Sequence, residues 1–349
     1  PTAEEAEAFA GDGAEERRDR AIERLLESGS YADYFTNKWA ALLRNKKSKA
    51  TYELGTFSFH DWLREMIHTN APYDQIVRNV VAASGDLRSN PGVVWYRSVN
   101  KTEQQVEDSA QLFLGMRIQC ARCHHHPFER WSQKDYYSYQ AFFSRVGRKK
   151  NPDGLADADR VFHNRGKASA KNPRSGETLS PAGLGGKPLD LAPDSDPRQA
   201  LVDWMVNPAN PFFAKALVNR YWKHFFGRGL VDPEDDMRVT NPACNPELLE
   251  ALAKSFIDSK FDLKNLVRTI CQSKIYQLSS IPNEHNVRDK QNFSRFYPRR
   301  LNAEVLYDAL NQVTKSQGGF GGVPSDTKAI QLPDAGQKNY FLTVFGKPM

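Results

Sequence analysis

The sequence predicts a mainly α fold: two helical domains joined by a long irregular segment rich in Pro and Gly. Three observations lead there. Apolar and aromatic residues recur three and four apart through the first 146 positions and again after position 196. Between 147 and 196 that periodicity is lost, and Pro152, Pro173, Pro181, Pro188 and Pro193 interrupt any helix. A chain of 349 residues is long enough for two domains of ordinary size, each able to bury a core. The expected division is therefore 1–146 helical, 147–196 a linker or surface excursion, and 197–349 helical, with a Gly- and Pro-rich tail from Gly318 that reads as unfinished.

Taken in order, Thr2 followed by Glu5 is a capping-box pattern for a first short helix. Glu15 to Glu27 is helical in composition, with Ile22, Leu25 and Leu26 on one side. Tyr31, Phe35, Trp39, Leu42 and Leu43 form an aromatic core stripe. Helices are expected over Ser58–His68 and Pro72–Ala83, and the short run Val93 to Tyr96 reads as extended. Thr102 opens a helix with Val106, Ala110, Phe113 and Leu114 on its face, loosened at its end by Gly115. Ser132 and Asp135 form another cap, and Tyr136 to Phe143 then supplies rings suited to walling a pocket or to ordinary packing.

In the irregular segment, His163 beside Val161 and Phe162 suits a short strand. Beyond it, Pro197–Val206, Pro211–Phe226 ending at Gly227, Pro246–Lys260 and Leu263 to Ile270 read as helices. A last helix over Asn302–Thr314 is expected to turn Val305, Leu306, Ala309, Leu310 and Val313 inward.

Composition narrows the function. No run of eighteen apolar residues occurs, so a membrane span is excluded. The net charge is +6, and ten basic residues face four acidic ones between Arg145 and Lys187. That stretch reads as a solvated loop, or as a docking surface for an acidic partner. It lacks regularly interleaved aromatics and any recognised motif, which argues against nucleic acid. Four cysteines are too few for a disulfide framework. Cys244 and Cys271 are read as small core residues, with a disulfide between them as the alternative.

Chemistry concentrates in the stretch CARCHHHPFERW, residues 120–131. Cys120, Cys123 and His124 have the spacing C-x-x-C-H of a c-type haem attachment site. The two cysteines would carry the thioethers of haem c, and His124 would be the proximal ligand. His60, His68, Met116 and His224 are the candidates for the sixth position. The alternative is zinc or mononuclear iron held by Cys120, Cys123, His124 and His126. Arg220 and Arg228, beside Asp235 and Asp236, read either as an ion-paired scaffold or as contacts to a haem propionate or substrate.

The motifs LFLGMRIQCARCHHHPFERW, DYYSYQAFF, NPFFAKALVNRYWKHFFGRGLVDPEDD, PELLEALAKSFI and RRLNAEVLYDAL together resemble the planctomycete-type cytochrome-associated proteins with paired DUF1549 and DUF1553 domains (PSCyt2/PSD1-like). The resemblance implies a mostly helical protein in two parts, exported, with a neighbouring cytochrome c domain in many members; this chain reads as a partial one. It directs attention to Cys120, Cys123, His124 and His126, and to Asn219, Arg220, Trp222, Gly227, Arg228, Asp235, Asp236 and Glu304. Cys244 and Asn245 stand where similar members show Ser and His. The functional expectation is an exported c-type haem protein, periplasmic or extracellular, serving a redox partner protein or a larger complex. The alternative is a structural or binding subunit with a Cys/His-bound metal.

Overall fold

Caps and heptad-like stripes make this chain helical wherever the sequence is periodic. The computed structural model describes residues 2–125, 129–150, 159–316 and 318–347. In the first region the helices are α1 (Ala3–Gly11), α2 (Arg17–Leu26), α3 (Gly29–Leu42), α4 (Glu53–His68), α5 (Tyr73–Val81), α6 (Trp95–Ser98), α7 (Thr102–Leu114) and α8 (Gln133–Gln140). In the second they are α9 (Pro197–Val206), α10 (Phe213–Phe226), α11 (Pro246–Asp258), α12 (Leu263–Gln272), α13 (Ala303–Thr314) and α14 (Tyr340–Val344). The connecting segment carries two small antiparallel pairs, β1 (Val146–Lys149) with β2 (Arg160–His163), and β3 (Ala170–Lys171) with β4 (Thr178–Leu179). His163 thus lies on a strand, opposite Val146. The mainly α class and the two helical regions with a linking segment are as expected.

The caps work as their chemistry demands. Thr2 and Glu5 close a reciprocal capping box on α1, and Ser132 and Asp135 do so on α8. Gly115 and Gly227 end α7 and α10 in the left-handed conformation, at φ 65° and 79°. Gly115 therefore terminates its helix rather than loosening it.

Three expectations are corrected. Val93 to Tyr96 is helical: Asn90 caps a short 3-10 turn at Gly92, Pro91 sits at its first position, and α6 follows. All four side chains are buried, and a four-residue apolar run carries no period that separates strand from helix. Leu25 is exposed, while Leu26 packs inward. On α13 the buried residues are Ala303 and Glu304, whereas Leu310 and Val313 face outward.

Residues of both helical regions belong to one buried cluster. Trp39 packs on Tyr73, Tyr73 stacks on Phe213, and Phe35 stacks on Tyr221 with ring centroids 5.4 Å apart and planes 3° from parallel. Leu179 and Leu184 of the connecting segment join the same cluster. A smaller cluster of Ala303, Phe320, Ala329, Leu332 and Leu342 holds the C-terminal part together.

A fully buried arginine ties the regions further. Arg198, at the start of α9, donates to Asp196 Oδ1 and Oδ2 at 3.0 and 2.6 Å. It also donates to the Ala83 carbonyl at 2.8 Å, the Tyr96 hydroxyl at 2.9 Å and the Ser84 hydroxyl at 2.7 Å. Every donor direction of the guanidinium fork is thereby used.

Candidate functional site

The C-x-x-C-H motif forms one tight turn between α7 and α8. Gly115 ends α7, Met116 and Ile118 bury their side chains, and a 3-10 turn runs from Gln119 to Arg122. The amides of Cys123 and His124 both donate to the Cys120 carbonyl at 3.2 Å, so the turn is closed on its own first cysteine. Behind it, the Arg122 carbonyl accepts from the Tyr137 hydroxyl at 3.2 Å and from Gln133 Nε2 at 3.3 Å, which fixes the turn to α8. Arg122 reaches Glu103 of α7 at 3.5 Å.

Cys120 and Cys123 are free thiols, and both are exposed, as is His124. His124 Nδ1 lies 2.6 Å from the His125 carbonyl. A carbonyl only accepts, so Nδ1 carries the proton and Nε2 is the lone-pair nitrogen available to a metal. That is the tautomer in which metal-bound imidazoles are usually held. Two accessible thiols and a backbone-oriented imidazole on one turn fit the donor set that haem attachment requires.

The sixth-ligand candidates stand in different parts of the fold. His60 is buried on α4, with Nδ1 3.4 Å from Asp61 and Nε2 without a partner. His68 is exposed at the end of the same helix. Met116 is buried four residues before Cys120, its amide bonded to Ala110. His224 lies on α10, its Nε2 3.4 Å from the Tyr34 hydroxyl, and burial beside Arg299 and Lys38 lowers its pKa to about 4. It is therefore a neutral imidazole near pH 7. Among the described residues, no group of three or more His, Cys, Asp or Glu side chains is placed to hold a metal ion. His126, the fourth member of the alternative metal set, lies outside the described residues.

The arginines are ion-paired around the end of α10, with a different pairing for each acid. Arg220 is 3.8 Å from Glu234 and donates to the Leu112 carbonyl at 3.4 Å. Arg228 is 3.9 Å from Asp232. Asp235 instead takes Arg117 and Gln111, each at 2.5 Å, which holds its carboxyl below the usual range despite burial, and Asp236 takes Arg238 at 2.8 Å. Asn219 is fully buried and clamps Val231 from both sides, donating to its carbonyl at 2.8 Å and accepting from its amide at 2.9 Å. Trp222 stacks on Phe226 in the core. These motif residues thus build the loop after α10. Cys271 is buried, which pushes its thiol up to about 12, and Cys244 is exposed; both are free.

Sequence reasoning passed over Lys38, Asn37 and Lys347, which line a cavity of about 400 Å³ together with Arg220, His224 and Glu304. The available signal was local: Asp33, Thr36 and Asn37 are polar, yet they occupy a helix whose aromatic stripe marks it as central, and all three are buried.

Comparison with known proteins gives two matches. The family described as PSCyt2, Protein of unknown function (DUF1549), matches residues 1–148. The family described as PSD1, Protein of unknown function (DUF1553), matches residues 197–340. No curated protein matches the chain, and no solved structure does. The matched stretches coincide with the two helical regions and leave out most of the irregular segment between them, and the chain belongs to the family of proteins that pair DUF1549 with DUF1553 domains.

Proposed function

We propose that this chain is an exported c-type haem protein, in electron transfer or as the redox subunit of a larger complex, with the haem joined to Cys120 and Cys123. The observation that carries the reading is the closed turn: two exposed free thiols three positions apart, followed by a histidine whose Nδ1 is bonded to the His125 carbonyl. Bound haem supplies a one-electron iron couple tuned by its axial ligands and local dielectric. The chain's own contribution is orientation. Tyr137 and Gln133 pin the turn through the Arg122 carbonyl, and the carbonyl of His125 sets the tautomer of His124.

With this reading goes a periplasmic or extracellular location, which the haem type supports. The partner is a redox protein or neighbouring subunits, with the described parts of the basic stretch, 145–150 and 159–187, as the surface offered to it. Among the described residues, no helix is long and apolar enough to cross a membrane. Protein purified from its native source should be red, with a Soret band and a pyridine haemochrome of the c type. Cys120→Ser with Cys123→Ser should abolish covalent colour while leaving the helical fold. A colourless protein carrying stoichiometric zinc or iron at Cys120, Cys123, His124 and His126 would replace this reading with that of a metal-pinned structural subunit.

A further inference from the structure

A second site lies where α3, α10, α13 and the C-terminal segment meet, away from the cysteine turn. Its cavity, about 400 Å³, is in the size range of small-molecule pockets. Phe35, Trp39 and Tyr221 supply apolar wall, and the polar lining is strongly charged. Most of that charge is already matched. Lys223 sits 2.5 Å from Glu234 and 3.2 Å from Asp232, and Arg220 shares Glu234.

Three groups are left over. Glu304, at the first turn of α13, is 4% exposed, and Lys38 Nζ approaches it only to 3.8 Å. Lys347 is 9% exposed, lines the same cavity, and its Nζ is buried without any hydrogen-bond partner. Glu304 acts on both ammonium groups, and burial lowers the pKa of each. In the lining four cationic side chains, Lys38, Arg220, Lys223 and Lys347, outnumber the two carboxylates Glu234 and Glu304, although Lys38 is 29% exposed and Asp334 also acts on Lys347. An unpaired buried ammonium is among the costliest arrangements a fold can hold, and a bound anion removes that cost.

We propose that this cavity binds a small-molecule oxyanion, a carboxylate or a phosphate monoester, through Lys347 and Lys38, with Glu304 accepting a hydroxyl of the same ligand. Ammonium groups recognise both oxyanions as point charges, so the two share one chemistry here. The acceptor at Glu304 and the aromatic wall favour a ligand with a hydroxylated or partly apolar body over a bare ion. The proposal does not rest on the haem reading, although Arg220 and His224, candidates there for haem contacts, line the same cavity.

The test is calorimetric titration and thermal shift of the full chain with inorganic phosphate and, separately, gluconate, at matched ionic strength. Saturable binding of either with a Kd below ~1 mM is expected, and which of the two binds tighter identifies the oxyanion. Lys347→Met should weaken that binding at least tenfold. Without anion the same variant should melt no lower than the wild type, because it removes an unpaired buried charge. Lys38→Met should also weaken binding, and it serves in place of Lys347→Met if that variant does not fold. Lys254→Met, on the exposed face of α11, should leave binding unchanged. Absence of saturable binding of both anions to the wild type, or undiminished binding to folded Lys347→Met, overturns the proposal.

Discussion

Replacing Arg198 by Met is expected to be the most damaging single change in the seam between the two family regions. Methionine keeps much of the side-chain volume but none of the donors. The loss strands the Asp196 carboxylate, whose side chain is 11% exposed, together with the Ala83 carbonyl and the Ser84 hydroxyl. His163 lies 3.9 Å from Asp196, too far to take over the hydrogen bonds. Removing one partner of a buried pair costs ~3–5 kcal/mol, because the other charge stays behind without compensation. The double variant Asp196→Asn with Arg198→Met should recover a large part of that loss, since the stranded charge is gone and the asparagine oxygen still caps α9. Urea unfolding followed by circular dichroism and tryptophan fluorescence, at equal m-values, reads the difference. A loss below ~1 kcal/mol for the single variant, or no recovery in the double, would refute the role given to this cluster.

Other consequences concern the second region and the approach to the motif. His224 titrates near 4 when folded and near 6.5 when unfolded, so the unfolded chain binds the extra proton between those values. Its contribution to stability, up to ~3 kcal/mol, is present above pH 6.5 and lost as the pH falls toward 4, and His224→Gln should flatten the stability profile in that window. Asn219→Ala leaves both backbone groups of Val231 unpaired in the core and should cost ~2–4 kcal/mol by chemical denaturation. Gly115→Ala forces a Cβ into a left-handed position 3.1 Å from Met237 Cγ, and should lower stability by ~1–2 kcal/mol in the same assay.

Much of the fold was legible because helices announce themselves by period and cap. Thr2 with Glu5, Ser132 with Asp135, and Gly227 each marked a boundary that the structure keeps. Period shows which residues share a face, but not whether anything covers that face. Leu310 and Val313 follow the helical spacing on α13 and still point to solvent, while the acidic Glu304 of the same helix is buried. Nothing near Arg198 in the sequence marks it as buried, because its burial depends on Ala83, Ser84 and Tyr96, more than a hundred residues earlier.

The candidate sites divide in the same way. The cysteine turn is contiguous, so the sequence displays it whole. The cavity of Lys38, Glu304 and Lys347 draws on residues some three hundred positions apart, and it exists only after the C-terminal segment packs against α3. Chain spacing carries no trace of that meeting. The one hint was polar residues embedded in the aromatic stripe of α3, which mark a buried face with something to bind or to balance.

The most direct test of the central claim is peptide mass analysis of trypsin-digested protein from its native source. Trypsin cuts after Arg117, Arg122 and Arg130, placing Cys120 in peptide 118–122 and Cys123 in peptide 123–130. Covalent haem predicts one species in which the two peptides are joined through a single porphyrin, absorbing in the Soret region. Two separate peptides with unmodified cysteines would contradict the claim.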